Sequence, residues 1–411
     1  MEWLLRQERV QRALEYIRRD DERTLKEQLE MCQIPAPSYM ERKKAEYVLD
    51  KFREIGLEDA HMDEICNVFG TIKGSGDGPR LMLAAHTDTV FPAGTDVTVR
   101  REGSRYNCPG INDDTRAVAE ILSIARAMKC SDLCGEGDIV FCANVCEEGL
   151  GDLKGVKHIF EGPERIDGFV TIDNPVTGGI IYTATGSRRY RVNFEGRGGH
   201  SFADFGLPNP IHAMGRAISK IAEFQVPDHP KTTFNVGVVE GGTSVNTIPA
   251  GAALLVDLRS DSSEELKRLS GELKIAVDKA VSEENARWES GEVVATRMEL
   301  AGIRPAGSQS PDSRIVKAAW DAALALGIEP ELRDESSTDA NIPISMGIPA
   351  IAVGRGGREG QVHTLQEWFE PVDSFLGPQK DLLLLLALSG FGGYREYQLE
   401  KRFFGRGGTI S

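Results

Sequence analysis

The chain has 411 residues, 40% of them hydrophobic and 27% charged, with a formal net charge of −15. That is ordinary globular usage, which excludes a disordered or fibrous array, and the length suits two or three domains. The acidic balance argues against a nucleic-acid surface, which needs a basic face.

The seven cysteines are odd in number and scattered, as expected of a reducing cytoplasm. Cys130 and Cys134 have no partner Cys or His at zinc-knuckle spacing. The start of the chain is charged and amphipathic, with Val10, Ala13, Leu14 and Ile17 at helical spacing, and shows no secretory signal. Leu382 to Leu388, the longest late apolar block, is far too short to span a bilayer.

From Glu2 to about Gly56 the pattern predicts two helices separated at Ile34-Pro35-Ala36-Pro37-Ser38, where two prolines end the first. Val68 to Lys73 and Leu81 to His86 read as a strand pair turned by the glycine-rich run Gly74 to Gly78. The second of these is apolar from Leu81 to Ala85, the mark of a strand buried on both faces of a parallel sheet. His86 would then stand at the strand's carboxyl end, where open α/β sheets bind ligands. Asp88, two residues on, shares its face and is placed to accept one ring N–H of His86.

Gly110-Ile111-Asn112-Asp113-Asp114 precedes an amphipathic helix carrying Val118, Ile121, Leu122 and Ala125 on one face. Its two acids also suit capping and dipole compensation. Asp138 to Cys146 is a further buried strand, running into Glu147-Glu148-Gly149. Adjacent strand residues point opposite ways, so these two glutamates are expected to play different roles. Gly168 to Asp173 is a third such strand, and Ile348 to Val353 a fourth, followed by the loop Gly354 to Gly360 and then His363. That loop lacks the Lys and Ser/Thr of a phosphate-binding P-loop and is expected to leave room for substrate.

Between Gly186 and about Ile303 the character changes. Alternating strands (Arg189 to Phe194, Thr233 to Val239, Ala252 to Leu258, Val293 to Glu299) surround helical runs near Pro210 to Phe224 and Glu264 to Asn285, an α+β unit inserted in the parallel sheet. The predicted organisation is a discontinuous catalytic domain, 1–186 and 303–411, interrupted by a unit spanning 187–302. Residues 392–411, with Arg402 and Phe403-Phe404-Gly405-Arg406, read as a tail.

Two histidines, Asp113, the glutamate pair and Asp173 thus converge on one sheet edge. Several buried acids repel one another unless a cation sits among them. Mixed nitrogen and oxygen donors suit zinc, with cobalt or manganese as alternatives. Six groups exceed the needs of one catalytic zinc. Two metals sharing a carboxylate would use five and leave one glutamate as a base.

His86-Thr87-Asp88, Gly110 to Asp114, Glu147-Glu148-Gly149, Asp173, Gly198-Gly199-His200-Ser201 and His363 in QVHTLQEW, in this order and spacing, resemble the M20 family of cocatalytic metallopeptidases and amide hydrolases. Glu147 to Gly151 and Ser337-Thr338-Asp339-Ala340-Asn341 are most similar to its peptidase T-like branch. The resemblance implies a zinc-peptidase α/β domain with a smaller inserted dimerisation domain, hence a homodimer formed through residues 187–302. It implies two divalent ions per chain bridged by Asp113, one held by His86 and Asp173 and the other by Glu148 and His363. Glu147 becomes the general base that activates a metal-bridging water, and Asp88 the orienter of His86. The same resemblance makes His200 a transition-state donor to the neighbouring subunit's site and gives Asn246, Arg259 and Asn341 to the substrate. It also implies a cis peptide at Asp113-Asp114. Thr115 and Arg116 depart from the Lys-Gly that relatives often carry there.

The implied activity is hydrolysis of a peptide or amide bond in a small peptide by a cytoplasmic enzyme that needs neither nucleic acid nor membrane. The alternatives are a deacylase of N-acyl or N-carbamoyl amino acids and a catalytically inactive metal-binding relative, the latter disfavoured by Glu147. No G-x-S-x-G elbow supports a serine nucleophile.

Overall fold

The computed structural model describes residues 1–334 and 336–402, so Phe403-Phe404-Gly405-Arg406 lie outside the described residues. The chain divides into two compact units, Met1–Ala184 with Ser308–Ser411, and Thr185–Gly307.

The first unit is built on an eight-stranded sheet. Its strands are β1 (Glu58–Met62), β2 (Val68–Ile72), β3 (Leu81–His86), β4 (Ile139–Asn144), β5 (Gly168–Asn174), β6 (Gly179–Ile181), β7 (Glu331–Arg333) and β8 (Ala350–Gly354). They lie in the order β1-β2-β4-β3-β5-β8-β6-β7. The four central strands β4, β3, β5 and β8 are mutually parallel. Their apolar runs follow from burial on both faces. Along β3, Leu83 and Ala85 join the larger core beneath one layer of helices, while Met82 and Ala84 join a second core on the other face.

The predicted pairing of β2 with β3 is not found, because β4 lies between them, antiparallel to β2 and parallel to β3. The loop joining them crosses the approach to β4, donating from Ser75 and Gly76 to the carbonyls of Gly135 and Glu136. A Cβ on Gly78 would stand 2.2 Å from the Gly137 nitrogen, so here glycine is required by close approach.

The helices of this unit are α1 (Glu2–Leu5), α2 (Glu8–Arg19), α3 (Asp21–Cys32), α4 (Arg42–Ile55), α5 (Thr115–Cys130), α6 (Lys154–Glu161), α7 (Arg314–Ala325), α8 (Asn341–Ser345) and α9 (Leu376–Ser389). The expected single helix before Ile34 is therefore three. The break between α2 and α3 falls at Asp20, whose carboxylate accepts from Arg126 at 2.6 Å and from the Ser123 hydroxyl. That tertiary bond fixes a turn which the periodicity alone does not reveal. α5 is buried on all sides rather than one, and its polar face is satisfied by Arg116–Glu120 at 2.7 Å and Arg126–Glu27 at 2.7 Å. Leu382 to Leu388 in α9 are fully buried. No helix among the described residues is long and apolar enough to cross a membrane.

The described part of the expected tail is packed instead: Leu399 is buried and donates to the Leu388 carbonyl, and the Arg402 backbone donates to Asp167.

The second unit is a four-stranded antiparallel sheet of Gly186–Glu195, Thr232–Gly241, Gly251–Ser260 and Ala295–Arg304. The helices Pro210–Ile221 and Ser263–Asn285 pack on it. Asn209 caps the first, accepting from Ile211 and His212, and Ser262 caps the second.

Candidate metal centre

β3 ends in His86, β4 leads to Glu147 and Glu148, β5 carries Asp173 near its end, and β8 leads through a loop to His363. Because these strands are parallel, all four deliver side chains to one edge. Asp113 arrives at the start of α5, and its peptide bond to Asp114 is cis.

Asp113 stands between the two imidazoles. Its Oδ1 lies 3.1 Å from His86 Nε2 and its Oδ2 lies 3.0 Å from His363 Nε2. His363 Nε2 is also 2.9 Å from Glu148 Oε1. Donor atoms of His86, Asp113, Asp114 and Asp173 all fall within 4.8 Å of one another, as do those of Asp113, Glu148 and His363, and those of His86, Glu147 and Glu148. Both glutamates therefore reach His86. Side chains of a continuous strand would diverge, but β4 stops at Asn144 and Cys146 turns the chain at φ 56°.

Asp88 plays a wider part than orienting a ring. The closest acceptor to His86 Nδ1 is the Asp88 carbonyl oxygen at 3.0 Å, with the carboxylate at 3.4 Å. The carboxylate itself accepts the backbone N–H of Glu147 at 2.9 Å, that of Glu148 at 3.0 Å and the Ser38 hydroxyl at 2.6 Å.

Two further residues, Arg355 and Glu367, support the site without carrying a sequence motif of their own. Arg355, 2% exposed, puts Nη1 at 2.7 Å from Asp114, 3.4 Å from Asp113 and 3.6 Å from Asp173, and pairs with Glu359. Its loop, expected to leave room for substrate, is packed: a Cβ on Gly356 would meet the Ser374 carbonyl at 2.0 Å. Glu367, fully buried, accepts the backbone N–H groups of Gly110, Asn112 and Asp113, and so shapes the turn that presents Asp113. Arg355 follows directly on the fourth apolar strand and Glu367 lies four residues after His363, signals that position alone supplied.

Burial pushes Asp173 up to about 7, with the Asp113 charge adding to it, and raises Asp114 well above the carboxylate range against the pull of His86 and Arg355. Hydrogen bonds to Asp113 and Glu148 hold the His363 imidazolium up to about 10. Asp113 stays well below the usual range despite burial, because His363, His86 and Arg355 surround it with positive charge. Largely buried carboxylates with one buried imidazole, His86, and one exposed, His363, so arranged fit one or two divalent ions.

Of the remaining predicted residues, Asn341 is buried, and its Oδ1 accepts the Thr338 N–H, serving the turn before α8. His200 and Asn246 are neighbours in the second unit: the Ser201 N–H donates to the Asn246 carbonyl. His200 Nδ1 accepts the N–H groups of Phe202 and Ala203 at 3.2 and 3.3 Å, which leaves the proton on Nε2. Arg259 Nε donates to Asp257 of its own strand at 2.7 Å.

Residues 182–285 match the peptidase dimerisation domain M20_dimer, and residues 67–195, which include His86, Asp113, Glu147, Glu148 and Asp173, match peptidase family M28. The chain is 26% identical to YqjE of Bacillus subtilis over 85% of its own length and 93% of the relative's. It is 25% identical to a succinyl-diaminopimelate desuccinylase of Corynebacterium glutamicum, over 79% and 86%. Among solved structures, a tripeptidase of Staphylococcus aureus superposes with a TM-score of 0.73 at 23% identity, covering 89% of this chain and 98% of the other.

Proposed function

We propose that this chain is a metallohydrolase of the M20 type and that it hydrolyses the amide bond of a small peptide at the edge where His86, Asp113, Glu147, Glu148, Asp173 and His363 meet. The observation that carries this reading is Asp113, with one oxygen toward each imidazole at 3.1 and 3.0 Å.

In this reading Asp113 would serve both of two ions, His86 and Asp173 would help hold one, and Glu148 and His363 the other. Bound there, divalent ions of the zinc type supply polarisation of the scissile carbonyl and a lowered pKa for water. Glu147, held through its backbone by Asp88, takes a proton from the attacking water as the oxygen bonds to the carbonyl carbon. It then gives that proton to the amine nitrogen as the C–N bond breaks. Buried Arg355 balances the acids and keeps Asp114 from competing with Asp113.

His200 carries its proton on Nε2 and is suited to donate to the developing oxyanion. The chain pairs with a second copy through residues 187–302, and His200 serves the partner's site. Asn246, beside it, and Arg259 contact the substrate.

A second reading, removal of an N-acyl group from an amino acid, is favoured by the desuccinylase relative. Both are tested by one panel. Protein loaded with zinc or cobalt is assayed on tripeptides, dipeptides and N-acyl amino acids with ninhydrin detection of released amine. Release from peptides alone supports the first reading, release from N-acyl amino acids alone the second, and release from none rejects both.

A further inference from the structure

The edge that gathers the acids also gathers exposed apolar side chains. In the first unit the four most exposed large apolar residues among those described are Leu365 (63%), Tyr39 (59%), Met40 (58%) and Leu150 (52%). Singly scattered apolar residues are ordinary on a surface, but each of these four lies within two residues in sequence of a site residue or of Ser38. Leu365 lies two residues after His363 and Leu150 two after Glu148, while Tyr39 and Met40 follow Ser38, whose hydroxyl donates to Asp88. Val90, also exposed, comes two residues after Asp88, and its neighbour Thr89 bridges to Pro37.

The rim is also fixed in place. The Tyr39 hydroxyl donates to the Leu150 carbonyl at 2.8 Å, tying the two loops together. Tyr39 holds φ at 73°, a left-handed conformation that a tyrosine adopts only when its surroundings impose it, and its N–H is bound by Glu41 at 3.0 Å. Over its ring, 5.1 Å from the centroid, stands the ammonium of Lys154. Among the described residues Lys154 has no carboxylate partner, although acids crowd the neighbouring edge.

Apolar side chains beside a cation that no carboxylate neutralises are the lining expected for a ligand that pairs an apolar body with a negative group. Resting on the hydrolase reading above, we infer that the rim selects substrates whose released amino acid has an apolar side chain and a free carboxylate. The side chain lies against Tyr39 and Leu150, and the carboxylate faces Lys154. The substrate class is thereby narrowed to dipeptides or N-acyl amino acids ending in a residue such as leucine.

The test compares kcat/KM of the metal-loaded protein on N-acetyl-leucine, N-acetyl-aspartate and N-acetyl-leucinamide, and on the matching alanyl dipeptides. Leucine should be preferred over aspartate, and the free acid over the amide, each by about tenfold or more. Lys154→Gln should shrink the acid-over-amide ratio by raising KM, and Leu150→Ser should shrink the leucine-over-aspartate ratio. Equal rates across the panel, or ratios untouched by both substitutions, overturn the inference. Calorimetry on Glu147→Gln with N-acetyl-leucine decides it independently of turnover. Binding that weakens about tenfold when Lys154→Gln is added supports the rim, and binding that does not change rejects it. Absence of hydrolysis with intact binding would instead reject the hydrolase reading alone.

Discussion

The carboxylate of Asp88 accepts the backbone N–H of Glu147 at 2.9 Å. A residue two positions past the end of β3 thereby sets where the chain emerging from β4 presents its acids, while its own carbonyl fixes the His86 ring at 3.0 Å. One side chain and one backbone group of the same residue align two elements of the site.

Asp88→Asn keeps the shape but turns an NH₂ toward an N–H donor. Supporting groups of this kind typically contribute about 10–100-fold in metal affinity or activity, and a loss in that range is expected. Steady-state kinetics together with metal analysis checks it; a variant within about threefold of wild type in both would leave Asp88 no positioning role.

Glu147→Gln should retain bound metal and lose roughly 10²–10⁴-fold in turnover, the usual contribution of a proton-transfer group. Glu148→Gln should instead lower metal content, because its oxygen lies 2.9 Å from His363 Nε2 in the proposed ligand set. Elemental analysis beside kcat separates the two roles, and identical behaviour of the variants would contradict them.

Metal removal should destabilise the fold as well as stop turnover. A ligand present at about a thousand times its Kd stabilises by about 4 kcal/mol, so chelation should lower Tm and zinc should restore it, saturating at two equivalents. Saturation with full activity at one equivalent would remove the shared role of Asp113.

Arg355→Met takes the buried counter-charge from Asp114, Asp113 and Asp173. Breaking a buried ion pair by removing one partner costs about 3–5 kcal/mol, and a loss of that size is expected in urea unfolding of the metal-free protein. Added metal should recover part of it, since the ion replaces positive charge at the same acids. A variant as stable as wild type would show that these acids are neutral without Arg355.

His200→Ala should reduce turnover while leaving metal content unchanged. Mixed with Glu147→Gln, it forms heterodimers in which one site carries both lesions and the other carries neither. Activity of those heterodimers should rise toward half of wild type as subunits exchange. If exchange is confirmed by mass and activity stays flat, His200 does not serve the partner's site.

The sequence by itself determined the central strands and the order of ligand-type residues, because a strand buried on both faces must be apolar along its length and its end is marked by the first polar residue. Leu81 to Ala85 ending in His86 is such a signal, confined to one segment. Tertiary structure alone decided that β4 separates β2 from β3, that Asp20 turns the chain to meet Arg126, and that the loop after Gly354 packs against Ser374 while its Arg355 turns to Asp114. It also decided that Glu367 binds the backbone of Gly110, 257 positions away. These choices were not legible because a buried charge is placed by the partner that neutralises it, and a strand's neighbour by the hydrogen bonds left open beside it. Both depend on residues distant in sequence, which local periodicity does not encode.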